Sequence, residues 1–131
     1  MSLRLVVDAS VVVDLLGRFQ PEPIEALLFA ADTALAAPAL LDVEVLQALR
    51  KLDLQGAIPE SRRDLSGSLR ALRIRRYPHA SLVDGIWALR SRVTAYDAAY
   101  VVLARQLGAA LVTRDARLAR APGLGIEIIS P

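Results

Sequence analysis

The chain has 131 residues, of which 54% are hydrophobic and none is cysteine, and its formal net charge is +2. This length and composition indicate one domain, residues 1–131, with a single sizeable core, and the lack of cysteine excludes disulfide and zinc–thiolate frameworks. No apolar run approaches the roughly 18 residues of a membrane span, and the first residues lack the pattern of a secretory signal peptide. We therefore expect a cytoplasmic protein without a membrane partner.

The first half of the chain predicts strands that alternate with helices. Leu3 to Val7 is a short apolar run, rich in β-branched residues, that stops at Asp8 and therefore predicts a strand. Hydrophobic periodicity with helix start and stop signals then predicts a helix at 11–16 closed by Gly17, a helix from Pro21 to about Ala31, a short strand at 35–37, and a long helix from Pro38 to about Gln55.

The second half continues this alternation. Residues 60–73 form an amphipathic, arginine-rich segment, and residues 74–77 a short extended one. The pattern then predicts a helix at 80–92 with Trp87 near its apolar side, a strongly apolar helix from Thr94 to Gly108, a strand at 110–113, a short helix at 115–121 and a last strand at 126–129. Such alternation argues for an α/β fold with a central, mostly parallel sheet of about four or five short strands flanked by about six or seven helices.

Four acidic residues lie within hydrophobic segments or directly at their ends. Asp8 and Asp115 each follow a predicted strand, and functional groups of open parallel sheets collect beyond the carboxyl ends of the strands. Glu44 and Asp97 lie on predicted helices among apolar neighbours, so both are expected to face the interior or a cleft. Carboxylates brought together in a cleft repel one another and must bind protons or a divalent cation. The pattern thus predicts a metal site formed by these four acids.

Each acid also has a purely structural interpretation. Asp8 and Asp115 can satisfy the free amides at the start of a helix. Thr94 and Asp97 have the spacing of a capping box, and Glu44 can lie at the margin of an apolar face and reach water. Only the convergence of all four carboxylates distinguishes a metal site from four separate structural roles.

Several segments of the chain carry a family resemblance: VVDASVVVDLL near the start, APALLDVEVLQAL in the middle, TAYDAAYVVLARQLGAALVTRDARL towards the end, and the closing strand. Together they resemble the PIN-domain ribonucleases of the VapC toxin type over nearly the whole chain. The resemblance implies a PIN-like fold and a ribonuclease site at the family's acidic positions. The implied catalytic residues are Asp8, Glu44, Asp97 and Asp115, with Ser10 and Thr113 as supporting hydroxyls beside them.

Magnesium suits such a site. Mg²⁺ prefers hard oxygen donors, keeps several waters and often binds only one or two protein carboxylates, so four acids can hold one or two ions; Mn²⁺ can replace it. A bound ion activates water and offsets charge on the phosphate, so we expect metal-assisted hydrolysis of a phosphodiester bond. In this hypothesis Asp8, Asp97 and Asp115 are the principal ligands. Glu44 binds metal through water or positions the attacking water.

Basic residues point to a polyanionic substrate, which the resemblance implies is RNA. If the four acids are left out, the chain has 16 basic and 10 acidic residues, so the rest of its surface is positively charged. Fifteen of the basic residues are arginine, which suits phosphate contacts but is also explained by a coding bias. Arg114 and Arg117 lie beside the proposed site and are candidates for holding flanking phosphates. A second group is equally typical of a solvated helix face; its members are Arg62, Arg63, Arg70, Arg73, Arg75 and Arg76.

The resemblance also implies two protein partners. One is a cognate VapB-type antitoxin that inhibits the enzyme, and the other is a second copy of the chain in a homodimer. The high hydrophobic content is compatible with both, because apolar surface that stays exposed in a monomer is typical of partner faces.

Other functions remain open. A phosphoacceptor signalling domain also combines a parallel sheet, acids and magnesium, but it usually has adjacent acids after the first strand and a lysine near the site. Here Asp8 is followed by Ala9, and the only lysine, Lys51, lies within a predicted helix. A PIN-like RNA-processing nuclease without an antitoxin would show the same four acids. A catalytically silent PIN-like interaction domain is a further alternative, and the intact acids argue against it without excluding it.

Overall fold

A computed structural model of the protein describes residues 3–62 and 64–131, and a sheet of five strands forms its centre. The strands are β1 (Leu3–Val7), β2 (Thr33–Pro38), β3 (Ile74–Tyr77), β4 (Ala110–Val112) and β5 (Ile128–Ile129). They lie in the order β3-β2-β1-β4-β5, and every neighbouring pair is parallel. The predicted α/β fold with a parallel sheet is therefore confirmed.

Seven α-helices connect the strands in the described part of the chain. They are α1 (Ala9–Gly17), α2 (Glu22–Leu28), α3 (Leu41–Leu54), α4 (Leu65–Ala71), α5 (Val83–Ala88), α6 (Ala95–Leu107) and α7 (Ala116–Arg120). Short 3-10 turns at Glu60–Arg62 and Ala80–Leu82 precede α4 and α5. None of the helices described is both long and apolar enough to cross a lipid bilayer.

Three predicted helices are shorter than the sequence pattern suggested, and the first of them, α2, ends at Leu28 rather than at about Ala31. Helix α3 begins at Leu41 rather than at Pro38, because Pro38 still belongs to β2, where it pairs with Tyr77 of β3. The predicted helix at 80–92 is a 3-10 turn followed by α5, and it ends at Ala88. The chain then turns to enter the loop that leads to α6.

The strand order places helices on both faces of the sheet. The chain moves outward from β1 to β2 and β3, and then returns past β1 to β4 and β5. Because crossovers between parallel strands are right-handed, this order places α1 to α4 on one face and α5 to α7 on the other. The packing agrees, since α1 contacts α2, α3 and α4 whereas α6 contacts α5.

Helix α6 is the central buried helix of the fold. Its residues 98–104 are all buried, and the helix packs against β1, β2 and β4. The side chain of Thr94 caps its start by accepting a hydrogen bond from the Asp97 amide, and Gly108 ends it in the left-handed conformation, at φ 60°. A Cβ at Gly85 would lie 2.7 Å from Cγ1 of Val102, so glycine allows α5 to approach α6 closely.

The return of the chain past β1 creates a crevice between β1 and β4. Val7 and Val112, the last residues of these two strands, are paired neighbours. Beyond them the connections leave towards opposite faces of the sheet, which makes this the topological switch point where ligands of open α/β sheets bind. Asp8 and Asp115 follow these two strands, so the prediction that they share one edge of the sheet is confirmed by the topology.

Candidate active site

Asp8 is a buried carboxylate at the base of the crevice. It is 7% exposed, and its amide donates a hydrogen bond to the carbonyl of Val112 at 3.0 Å. Its Oδ2 accepts hydrogen bonds from Ser10 Oγ at 2.7 Å and from Thr113 Oγ1 at 2.8 Å. Although Asp8 occupies the N-cap position of α1, its side chain makes no capping hydrogen bond. The two hydroxyls therefore fix this carboxylate through one oxygen, which leaves Oδ1 for a ligand.

The hydroxyls of Ser10 and Thr113 link the ends of β1 and β4. Ser10 Oγ accepts a hydrogen bond from the Arg114 amide at 3.0 Å, and Thr113 Oγ1 accepts one from the Asp115 amide at 3.0 Å. Each hydroxyl has a single proton, which it donates to Asp8. Each hydroxyl therefore accepts a hydrogen bond from a backbone amide and donates one to the carboxylate. Such an oriented network defines the rotamer of Asp8.

We expect Thr113→Val to lower the free energy of unfolding by about 1–3 kcal/mol. Valine has nearly the shape of threonine, but it leaves the Asp115 amide and the Asp8 carboxylate without their shared hydroxyl at a fully buried position. Urea denaturation of the variant and the parent protein measures the difference. A change of less than about 0.5 kcal/mol would show that the hydroxyl network contributes little to stability.

Asp115 combines a helix cap with a place at the crevice. Its Oδ1 accepts hydrogen bonds from the amides of Arg117, at 2.9 Å, and Leu118, at 3.4 Å, and thereby caps α7. Its Oδ2 lies 3.7 Å from Nη2 of Arg117, whose side chain is 84% exposed. The prediction that Asp115 caps a helix is thus correct for Oδ1, while Oδ2 can still bind an external cation.

Glu44 is held by a buried tyrosine that the sequence did not single out. Tyr100 of α6 is fully buried, and its hydroxyl donates a hydrogen bond to Oε1 of Glu44 at 2.6 Å. Burial raises the pKa of Glu44, this hydrogen bond opposes the rise, and the charges of Asp8 and Asp97 add to it. The pKa of Tyr100 is itself raised, mainly by burial, so the hydroxyl keeps its proton. One sequence signal was available: Tyr100 lies three residues after Asp97, on the same face of α6.

Asp97 stands at the first turn of α6 and is electrostatically coupled to the other acids. Burial raises its pKa, and the negative charges of Asp8 and Asp115 raise it further. Hydrogen bonding with Thr94 and the positive charge of Arg117 act in the opposite direction. One half of the capping box is present, because Thr94 Oγ1 accepts a hydrogen bond from the Asp97 amide at 3.2 Å, and it coexists with repulsion of the Asp97 carboxylate by two other acids.

The four predicted acids are thus linked by electrostatic repulsion, because Glu44 is repelled by Asp8 and Asp97, and Asp97 by Asp8 and Asp115. Within residues 3–62 and 64–131, no three acidic or histidine side chains are grouped so that they could hold a metal ion. A hydrated Mg²⁺ fits these residues nevertheless, because it binds through one or two carboxylates and keeps water on its other positions. The donors are all oxygen atoms, which suits a hard cation, and burial followed by the charges of neighbouring carboxylates raises the pKa values of Glu44 and Asp97.

Arg114 is engaged in internal contacts beside the crevice. Its Nη1 donates to Oδ2 of Asp14 at 3.1 Å, and its Nη2 donates to the carbonyl of Gln20 at 3.0 Å. The side chain is 17% exposed and ties the loop after β4 to the turn between α1 and α2. Its role in binding substrate stays a prediction, and the exposed Arg117 has a guanidinium better placed for a phosphate.

The second arginine group is also partly internal. Arg76 makes an ion pair with Asp42 at 2.7 Å and also donates to the carbonyl of Ile74, also at 2.7 Å. Arg62 donates to the carbonyl of Leu16 at 2.9 Å, and Arg63 lies outside the described residues. These contacts give Arg62 and Arg76 structural roles that the sequence pattern did not reveal.

Tyr100→Phe tests whether the tyrosine positions Glu44. If the chain has the ribonuclease activity that the sequence predicts, cleavage should fall about 10-fold, because Glu44 loses the hydrogen bond that fixes Oε1, while the phenyl ring preserves the packing. The variant also loses a contact that lowers the pKa of Glu44, so the acidic limb of the pH–rate profile should move to higher pH. Unchanged cleavage with an unchanged pH profile would mean that Tyr100 serves packing alone.

Comparisons with known proteins place the chain among related sequences and folds. A family model described as PIN domain matches residues 5–124. The chain is 44% identical over 125 residues to Ribonuclease VapC1 of Mycobacterium tuberculosis, and the alignment covers 94% of each chain.

Two solved structures share the fold at low sequence identity. One is Mycobacterium tuberculosis VapC20, described as a sarcin–ricin loop cleaving toxin, with a TM-score of 0.72, 14% identity, and coverage of 97% of this chain and 99% of that one. The other is VapBC2 from Rickettsia felis bound to a DNA fragment from the promoter, with a TM-score of 0.70, 14% identity and coverage of 98% of both chains.

Proposed function

Since this chain belongs to the PIN-domain family and, within it, to the VapC ribonucleases, which are RNA-hydrolysing enzymes, we propose that it hydrolyses RNA phosphodiester bonds with Mg²⁺ held at the crevice between β1 and β4. One observation carries the metal part of this proposal. Burial raises the pKa values of Glu44 and Asp97, and the negative charges of other carboxylates raise them further: Asp8 and Asp97 act on Glu44, and Asp8 and Asp115 act on Asp97. A divalent cation is the simplest means of relieving that repulsion.

In the proposed mechanism each residue has a defined task. Asp8, Asp97 and Asp115 hold the ion, directly or through water, and Mn²⁺ can take its place. When bound, the ion lowers the pKa of water and offsets the charge that develops on the phosphate oxygens. Ser10 and Thr113 fix the rotamer of Asp8.

Glu44 orients the attacking water in this mechanism. Tyr100 occupies its Oε1, so Oε2 is the oxygen that accepts a hydrogen bond from the water and fixes its direction of approach to phosphorus. The raised pKa of Glu44 makes the carboxylate a better proton acceptor near neutral pH than an ordinary glutamate. By resemblance to the family, water displaces the 3′ oxygen, so the P–O3′ bond breaks and the products carry a 5′-phosphate and a 3′-hydroxyl.

The proposal is tested by incubating purified protein with a mixed panel of structured RNAs in Mg²⁺, in Mn²⁺ and in EDTA. We expect cleavage with either metal and none in EDTA, and we expect product ends that a kinase can label only after phosphatase treatment. Cleavage that persists in EDTA, or products that end in a 2′,3′-cyclic phosphate, would contradict metal-assisted attack by water.

We also propose that a cognate VapB-type antitoxin inhibits the enzyme and that the chain forms a homodimer. VapBC2 of Rickettsia felis, by its name a pair of this kind, shares the fold. Val43 and Leu46 of α3 are exposed apolar residues on either side of Glu44 in sequence, so a partner segment bound there would lie beside the crevice. An RNA-processing nuclease without an antitoxin would lack such a partner gene in its genomic neighbourhood.

Co-purification with the product of the neighbouring gene tests the inhibition. We expect the complex to show at least a 10-fold lower cleavage rate than the free enzyme, and light scattering of the free enzyme to give the mass of a dimer. A complex that cleaves RNA as fast as the free enzyme would contradict inhibition, and a monomer mass would contradict the homodimer.

A further inference from the structure

Arg114 lies in the connection from β4 to α7, between Thr113 and Asp115. Its backbone amide donates a hydrogen bond to Ser10 Oγ, at 3.0 Å, near the start of α1. Its side chain contacts the same helix farther along, because Nη1 donates to Oδ2 of Asp14 at 3.1 Å. One residue therefore attaches this connection to α1 at two points.

The guanidinium of Arg114 also holds the turn that follows α1. Its Nη1 donates to the carbonyl of Phe19 at 3.4 Å, and its Nη2 donates to the carbonyl of Gln20 at 3.0 Å. Two residues of this turn, Arg18 and Gln20, have positive φ angles of 61° and 51°. Left-handed backbone is unfavourable for residues with a side chain, so such a turn depends on contacts from outside it. Arg114 provides two of these contacts.

These contacts leave few donors of Arg114 for a phosphate. A guanidinium has five N–H donors, and three of them are used here, by Asp14, Phe19 and Gln20. A fourth, on Nε, is buried and has no hydrogen-bond partner among the residues that the structure describes. At most one N–H is left, whereas arginines that recognise phosphate often donate two parallel hydrogen bonds. The geometry therefore favours a role within the protein over a contact with RNA.

Asp14 in turn depends on Arg114. The side chain of Asp14 is only 25% exposed, and burial raises its pKa. The charge of Arg114 and its hydrogen bond to the carboxylate oppose that rise. Because a partly buried carboxylate without a partner is unfavourable, loss of the arginine should also displace Asp14 towards water. The two side chains thus act as one unit, and loss of either should release the connection.

We propose that Arg114 and Asp14 form a positioning clamp for the metal site. Asp8 lies at the start of α1 and Asp115 at the start of α7, so a clamp between α1 and the connection before α7 sets the separation of these two carboxylates. Arg114 acts in this way through the protein and contacts neither RNA nor metal. The inference rests on the proposed ribonuclease function and adds two positioning residues to it.

Steady-state cleavage at saturating Mg²⁺ separates positioning from substrate binding. We expect Arg114→Ala and Asp14→Ala each to lower kcat about 10-fold, while KM and the salt dependence of RNA binding stay unchanged. The double variant should lose no more than either single variant, because all three lack the same clamp. If Arg114 contacts a phosphate instead, Arg114→Ala alone should raise KM and reduce the salt dependence by about one phosphate contact, which would overturn the proposal.

Arg114→Lys and Arg18→Ala are the matched comparisons. Lysine keeps the charge but cannot make the forked contacts to Asp14 and the turn, so Arg114→Lys should lose as much activity as Arg114→Ala. Full activity of the lysine variant would contradict the clamp. Arg18 makes an ion pair of the same length, 3.1 Å, with Glu25 of α2, outside the connection from β4 to α7. Arg18→Ala should therefore leave kcat and KM unchanged.

Amide hydrogen exchange in EDTA tests the clamp without metal and without turnover. The amides of Arg114 and Asp115 each donate to a hydroxyl at the crevice, and the clamp should slow their exchange. We expect Asp14→Ala to accelerate exchange at both amides about 5-fold more than at the buried amides of α6, and Arg18→Ala to have no such effect. Unchanged exchange, or equal acceleration throughout the protein, would overturn the clamp. Asp14→Asn, which keeps the shape of the side chain and removes its charge, takes the place of Asp14→Ala if the alanine variant does not fold.

The two measurements together distinguish failure of the clamp from failure of the ribonuclease proposal. If exchange at the two amides depends on Asp14 but the parent protein cleaves no RNA, the clamp stands and the catalytic proposal fails. If the parent protein cleaves RNA and both Arg114→Ala and Asp14→Ala cleave it with the same kcat, the catalytic proposal stands and the clamp is wrong.

Discussion

Asp97→Asn is expected to reduce RNA cleavage by about 100- to 1000-fold while it makes the metal-free protein more stable. The loss of activity follows from the proposed role of Asp97 as a metal ligand at the crevice. The gain in stability follows from its surroundings: burial and the charges of Asp8 and Asp115 raise its pKa, so the folded protein holds an unfavourable negative charge at neutral pH. Asparagine keeps the size of the side chain and removes that charge.

The sign of this stability change can be checked by pH. A carboxyl group whose pKa is higher in the folded than in the unfolded state binds a proton more tightly when folded. In EDTA, ionised Asp97 and Glu44 should destabilise the folded protein at neutral pH. This destabilisation should diminish as the pH falls through their raised pKa values, towards the ordinary carboxyl range near about pH 4. The difference between Asp97→Asn and the parent protein should shrink over the same interval.

Thermal unfolding in EDTA and cleavage in Mg²⁺ measure the two effects on the same samples. Asp53→Asn is the matched control, because Asp53 is an exposed acid on α3, about nine residues or roughly 13 Å along the helix from Glu44. It should change neither property. Full activity of a folded Asp97→Asn protein would mean that the site is assigned wrongly, and a lower Tm would mean that Asp97 is mainly a structural residue.

Removal of divalent metal is the second change with a large expected effect. EDTA should abolish cleavage, and added Mg²⁺ should restore it and raise Tm. At ten times the dissociation constant the added stability is about 1.4 kcal/mol, which for a domain of this size is a shift of several degrees. The shift should be smaller at pH 5.5 than at pH 7.5, because protons compete with metal for the carboxylates whose pKa values are raised.

Asp8→Asn shows whether this stabilisation arises at the crevice. The substitution keeps the size of a buried side chain and an oxygen that can accept from Ser10 and Thr113, but it removes the charge that attracts the ion. We expect the Mg²⁺-dependent shift in Tm to disappear in this variant and to persist in Asp53→Asn. An equal shift in both variants would place the stabilising ion somewhere else.

The sequence could predict those features that depend on local pattern. The alternation of apolar runs indicated the parallel sheet, and the position of Asp8 and Asp115 after strands indicated the edge where they meet. The start of α3 was misplaced, because proline at residue 38 is equally compatible with the end of a strand, and pairing with Tyr77 decides between the two.

Contacts between distant segments could not be predicted in the same way. The hydrogen bond from Tyr100 to Glu44 joins α6 to α3, and the sequence pattern did not distinguish Tyr100 from the other apolar residues of α6. Likewise, Arg114 and Arg117 are equivalent in sequence, but the turn after α1 provides an acid and carbonyls for Arg114 alone. These side chains acquire their partners from tertiary packing, which local pattern does not encode.

The central claim is that the carboxylates of the crevice hold a divalent ion, and Mn²⁺ binding measured by electron paramagnetic resonance tests it most directly. Binding removes the sharp signal of free Mn²⁺, so the affinity can be read without RNA, without an antitoxin and without turnover. We predict that the parent protein and Asp53→Asn bind Mn²⁺ equally and that Asp97→Asn binds it at least 10-fold more weakly. Equal binding by all three proteins, or no binding by the parent protein at millimolar Mn²⁺, would contradict the metal site.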